Sequence, residues 1–262
     1  MNTVIFNITA AILMLGIIRQ KTHHKFSAVP IVILFCIPLY MILATSQYCD
    51  ILIGIFLLGA LGAVQQAQSS SAKPYLVLTG IFIGTLSFTK PEGAILAAIV
   101  FVAAHILILK NTHRPSGLVW FWASALTAGI PTILFQLFLS PGNQTFINGI
   151  SSAIQPAALM RLKIILAFLC VELASIKWGF LWWLILLAGV LNFNRIFRKE
   201  FIIFPGVIFC YMLVVLLYYW VNTYFKIEWW LLVSLSRILS ALIPAVITWI
   251  SIGILAKKGP GQ

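Results

Sequence analysis

Charged residues are so sparse in this chain that the gaps between them are themselves of membrane length. No Asp, Glu, Lys or Arg occurs across residues 26–49, 51–72, 93–109, 115–160, 201–225 or 238–256. A helix needs about 20 predominantly apolar residues to cross the hydrocarbon core. Only helices and closed barrels satisfy their backbone groups there. These runs are continuous rather than alternating, so helices are expected. Charged residues make up 8% of the chain, against about a quarter in soluble domains. The expected fold class is all-α, a polytopic integral membrane helical bundle forming a single domain over residues 1–262.

About nine membrane segments are expected: Thr3–Ile18, Ala28–Ala44, Ile51–Val64, Tyr75–Phe88, Ala94–Leu109, Leu118–Leu139, Trp178–Leu191, Phe201–Val221 and Ile238–Leu255. Several fall short of a perpendicular crossing, which calls for broken or tilted helices. The stretch from Arg161 to Ser175 is apolar but carries Arg161, Lys163 and Glu172, and is expected to be interfacial or re-entrant. The apolar N-terminus has no basic segment before it and reads as a retained helix, not a signal peptide.

The net charge of +12 does not point to nucleic acid, because the basic residues sit at the ends of apolar runs, where they set topology. With the N-terminus outside, the inner side carries Arg19, Lys21, Lys25, Lys73, Lys110, Arg114, Arg195, Arg198, Lys199, Lys257 and Lys258. Lys90, Arg161, Lys163, Lys177, Lys226 and Arg237 fall outside, six against eleven. The expected localisation is thus the cell membrane, multi-pass, with the C-terminus cytoplasmic. Four of the five acidic residues, Asp50, Glu92, Glu172 and Glu228, share the outer side. Carboxylates gathered on one face suggest that chemistry or binding happens there; solvation in outer loops is the plainer reading.

Three stretches carry the sharpest positions. Gly80–Gly93 climbs through a glycine-spaced helix to Thr-Lys-Pro-Glu-Gly. Pro91 forces Lys90 out of helical conformation, leaving Lys90 and Glu92 either to satisfy each other in a turn or to hold an anion. Asp50 opens an apolar run, where it can cap a helix or face a polar ligand. Arg237 sits just inside an apolar segment, where it either snorkels or recognises a phosphate. Among weaker candidates, His23-His24 reads as a solvated loop, Asn143-Gln144-Thr145 fits a glycosylation sequon, and His105 should pack against or bond a neighbouring helix. Cys36, Cys49, Cys170 and Cys210 show no metal or disulfide spacing and read as small core residues. Phosphate-cradling P-loop, GxSxG and HExxH motifs are absent from the sequence.

In this order, three stretches resemble the polytopic glycosyltransferases of the C superfamily, especially bacterial relatives of the protein O-mannosyltransferases and of the aminoarabinose lipid A transferase. SQYCDILIGIFLLGAL looks like that group's Tyr-x-Asp element, GIFIGTLSFTKPEGAIL like its glycine-rich helix ending in Thr-Lys-x-Glu-Gly, and IEWWLLVSLSRILSALIP like its late acidic-Trp and Ser-Leu-x-Arg segment. The resemblance implies transfer of a sugar from a polyprenyl-phosphate donor at the extracytoplasmic face. Asp50 and Glu92 would be the catalytic residues, organising the site or a divalent metal ion, and Lys90 and Arg237 would bind the donor phosphate. It also implies partners: the lipid bilayer, a polyprenyl-phosphate sugar and no nucleic acid. The chain departs from the group in lacking its N-terminal acidic loop ahead of these stretches, and has Trp230 where the group often has His. As a member it is therefore expected to be N-terminally incomplete, with a partner chain supplying the missing part. The alternative is a catalytically inactive fragment, or a non-enzymatic membrane subunit or transporter. The sequence has no inverted repeat to favour a transporter.

Overall fold

The computed structural model describes residues 2–22, 25–46, 49–69, 73–111, 115–140, 157–221 and 226–256. Among these residues the chain is all-α, with twelve α-helices, two short 3-10 turns and no strand. In order the helices are α1 (Asn2–Thr22), α2 (Val29–Phe35), α3 (Pro38–Thr45), α4 (Asp50–Ser69), α5 (Lys73–Thr89), α6 (Pro91–Asn111) and α7 (Pro115–Phe138). They continue with α8 (Ala157–Ala174), α9 (Leu181–Leu191), α10 (Phe193–Ile196), α11 (Ile203–Val221) and α12 (Ile227–Leu255).

Six helical stretches are long and apolar enough to cross a membrane: Val4–Thr22, Asp50–Gln68, Pro91–Lys110, Gly117–Phe138, Ile203–Val221 and Ile227–Leu255. The other three expected segments are shorter for identifiable reasons. Ala28–Ala44 is split into α2 and α3, because Pro38 begins a new helix and Ile37 before it is extended at φ −82°, ψ 111°. Tyr75–Phe88 lies in the 17-residue α5. Trp178–Leu191 is a turn followed by the 11-residue α9, broken where Gly179 and Phe180 take left-handed φ values of 56° and 60°.

The centre of the bundle is α12 with α4. In these two helices 89% and 83% of the crossing stretch is buried, against 17% in α7. Apolar side chains such as Trp122, Leu126 and Ile133 stand exposed on α7, as expected of a helix facing lipid rather than water. Small residues bring the inner helices together. A Cβ on Gly54 would lie 2.9 Å from the Ala241 carbonyl of α12. A Cβ on Gly80 would lie 2.6 Å from the Phe121 carbonyl, and one on Gly84 2.7 Å from the Gly129 amide. The glycine spacing of α5 is therefore a packing seam against α7, the small-xxx-small device of membrane helices.

Two expectations are corrected. The four cysteines are free, as expected, but all are exposed rather than in the core. The last helix begins at Ile227, not Ile238. The Trp-Trp-Leu-Leu stretch has ample apolar surface to continue as helix, and Glu172 and Trp230 contacts hold this extra length against α8 and α11. His105 accepts a hydrogen bond from Trp122 Nε1 of α7 at 3.2 Å. His23-His24 and Asn143-Gln144-Thr145 lie outside the described residues.

Candidate functional site: a buried charge knot

All four sequence-predicted residues converge at one end of the bundle. Asp50, in the first turn of α4, is the hub. Lys90 Nζ, in the break between α5 and α6, donates to Asp50 Oδ1 at 3.0 Å. From α12, Arg237 Nε donates to Asp50 Oδ2 at 2.9 Å. Glu92, in the first turn of α6, pairs with Lys90 at 3.4 Å. Positions separated by 40 and 187 residues in sequence thus form one network of two cations and two carboxylates.

Each plainer reading of these residues is partly met. Asp50 does lie at a helix N-terminus, where the dipole favours negative charge, but its oxygens accept from the side chains of Lys90, in the α5–α6 break, and Arg237, on α12. Lys90 and Glu92 do pair within their turn, yet the shorter contact of Lys90 is to Asp50. Arg237 points into the protein rather than simply reaching for headgroups. The side chain of Asp50 is only 2% exposed, whereas those of Lys90, Glu92 and Arg237 are 25%, 30% and 25% exposed. A carboxylate so buried costs several kcal/mol in desolvation unless paired, which explains why both cations are drawn to it. The backbone break at Lys90 puts Pro91 at the start of α6 and lets the Lys90 carbonyl accept from the Ala94 amide at 3.0 Å.

A second carboxylate sits beside the first network. Glu172 of α8 accepts from Lys177 Nζ at 2.7 Å, from Ser236 Oγ at 2.7 Å and from Trp178 Nε1 at 3.2 Å. Lys177 also donates to Ser236 Oγ at 2.9 Å. Ser236 and Arg237 are neighbours on α12, so one helix holds both carboxylate centres. Farther along, Arg161 Nε donates to the Tyr219 carbonyl at 2.9 Å, and Tyr219 OH shares a hydrogen bond with Ser234 Oγ at 2.7 Å. Burial pulls the Arg161 guanidinium below its usual pKa, and the nearby Glu228 charge opposes that shift. Sequence reasoning placed Glu172 and Lys177 on this side without giving either a role, and missed Ser236. The available signal was a carboxylate within an otherwise apolar helix.

The knot does not fit a divalent metal. Both Asp50 oxygens face cations, which would repel a metal ion, and no group of three His, Cys, Asp or Glu side chains comes together among the described residues. What the geometry can do is hold an ammonium and a guanidinium side by side, partly exposed, on a fixed carboxylate. No protein-family model, curated protein or solved structure matches this chain. Its chemistry has to be read from its own residues.

Proposed function

We propose that the protein binds a polyprenyl-phosphate sugar at the charge knot and transfers the sugar at the extracytoplasmic face of the membrane. The observation that supports this most is the fixing of Lys90 and Arg237 on one buried carboxylate, Asp50, at 3.0 and 2.9 Å. Two cations held at a set spacing, each a quarter exposed, are preorganised for a phosphate that gains charge as its sugar departs. Lys90 supplies a point charge and Arg237 a planar donor fork. Asp50 sets the positions of both, and Glu92, the more exposed carboxylate, is the one open to an acceptor. A general base from a partner chain completes the reaction in this reading. No step is assigned to a metal.

The competing reading is a non-catalytic membrane subunit in which the knot only locks α4, α6 and α12 together. The balance of two cations against two carboxylates favours it, since a closed network needs no ligand. The two are separated with an apolar replacement, Asp50→Leu with Lys90→Met and Arg237→Met. Replacing a buried ion network by apolar groups of similar volume is often neutral for stability. The expected outcome is a folded protein that no longer binds polyprenyl-phosphate sugar. Unchanged binding in that variant would overturn the phosphate roles.

The proposed topology places the N-terminus outside and the C-terminus in the cytoplasm, with the knot outward. In a cysteine-free background, a Gly142→Cys variant is expected to react with a membrane-impermeant thiol reagent in intact cells. Labelling only after the cells are opened would invert the orientation.

A further inference from the structure

Helices α6 and α11 pack against each other but leave a crevice of about 570 Å³. Glu92, at the start of α6, lies within electrostatic range of Tyr211, midway along α11, and of Tyr219, near its end. The helices are therefore antiparallel. The crevice, spanning Ala98–Leu107 on α6 and running from Ile202, just before α11, to Cys210 on it, lies toward the end away from the knot. Its walls are Ala, Ile, Val, Leu, Gly and Cys, and Val102, Ile106 and Ile202 on its rim are exposed.

Its length and lining decide what fits. Ala98 to Leu107 covers roughly 15 Å of helix axis, and the residues that line it are all apolar. An extended hydrocarbon chain lies along such a crevice without stranding a polar group. Gly206 keeps it open: a Cβ there would meet nothing within 4 Å, so its missing side chain serves no helix contact. The mouth away from the knot is basic. Lys110 stands one turn beyond Leu107 on the same side of α6, and Lys199 precedes Ile202 by one short turn; both are exposed. The neighbouring Glu200 is paired with Arg198 at 3.5 Å.

We propose that this crevice binds one acyl chain of an anionic glycerophospholipid, whose headgroup phosphate rests against Lys110 and Lys199. This site is separate from the knot and stands whether or not a polyprenyl phosphate binds there. The test is native mass spectrometry of the full chain released from nanodiscs of equimolar phosphatidylglycerol and phosphatidylcholine. The wild type is expected to retain phosphatidylglycerol over phosphatidylcholine at least threefold. Gly206→Leu, which grows a side chain into the crevice, is expected to abolish retention. Cys210→Phe, which blocks the other limit, gives the same loss and serves if Gly206→Leu perturbs folding. Lys110→Ala with Lys199→Ala is expected to keep a bound lipid while bringing the two headgroups to parity. Equal retention of the two lipids by the wild type, or retention unchanged in both crevice variants, overturns the proposal. So does a protein dimer that the crevice variants dissociate, since the crevice would then seat a second copy.

Discussion

The two ends of this bundle handle charge in opposite ways. At the knot, Asp50 is buried to 2% exposure and fixed by cations from two other elements. At the other end, Glu200 is 52% exposed and meets Arg198 at 3.5 Å within the same short turn, while Gln65 donates to the Glu200 backbone carbonyl at 3.3 Å. One ion network joins distant elements through a fully buried carboxylate; the other is local, and its carboxylate is half exposed. Buried pairs are costly to break, whereas exposed pairs contribute on the order of 0–1 kcal/mol. The acidic residue at each end should therefore report whether its end carries a designed site or ordinary surface charge.

The largest effect is expected from Asp50→Ala, which leaves Lys90 and Arg237 partly buried without their shared counter-charge. Loss of about 3–5 kcal/mol in reversible unfolding in micelles is the expected result. A loss below about 1 kcal/mol would mean that water already solvates the knot. Glu172→Ala, stranding Lys177 and removing the acceptor of Ser236 and Trp178, is expected to cost somewhat less, roughly 2–4 kcal/mol. Ser236→Ala removes one hydroxyl from that second network and is expected to cost about 1 kcal/mol by the same measurement. The smallest change is expected from Glu200→Ala, within about 0.5 kcal/mol of the wild type. If Glu200→Ala and Asp50→Ala cost the same, the contrast between the ends fails.

Much of the knot could be read in the sequence because charge is so scarce there. With only five acidic residues in 262, Asp50 and Glu92 had to be accounted for, and Lys90 and Arg237 stood out as expensive cations. Their partners were not legible. A cap, a turn pair and a snorkelling arginine each fit the local residues, and only tertiary contact shows Asp50 serving Lys90 and Arg237 together. Ser236 was hidden because serine on a helix usually bonds its own preceding turn, as Ser240 does to the Arg237 carbonyl. The break at Ile37-Pro38 was visible in principle, since proline disfavours helix before it, but the unbroken apolar run masked it. The cysteines went wrong for a related reason: in a membrane chain, apolar surroundings in sequence do not distinguish a lipid-facing position from an internal one.

The adjacency of Ser236 and Arg237 has a consequence for how this chain tolerates change. Successive residues on a helix point about 100° apart, so α12 reaches Glu172 and Asp50 together at only one angular setting. The same helix is pinned further down by Ala241 against Gly54 and by Gly253 against Ile196. Inserting a single residue between Ser240 and Gly253 would turn one set of contacts past the other, even if the residue were alanine. Side-chain replacements on the exposed face of α12, at Leu232 or Val233, leave that phase intact. Across natural variants, α12 is therefore expected to drift in composition along its lipid side while keeping its length constant.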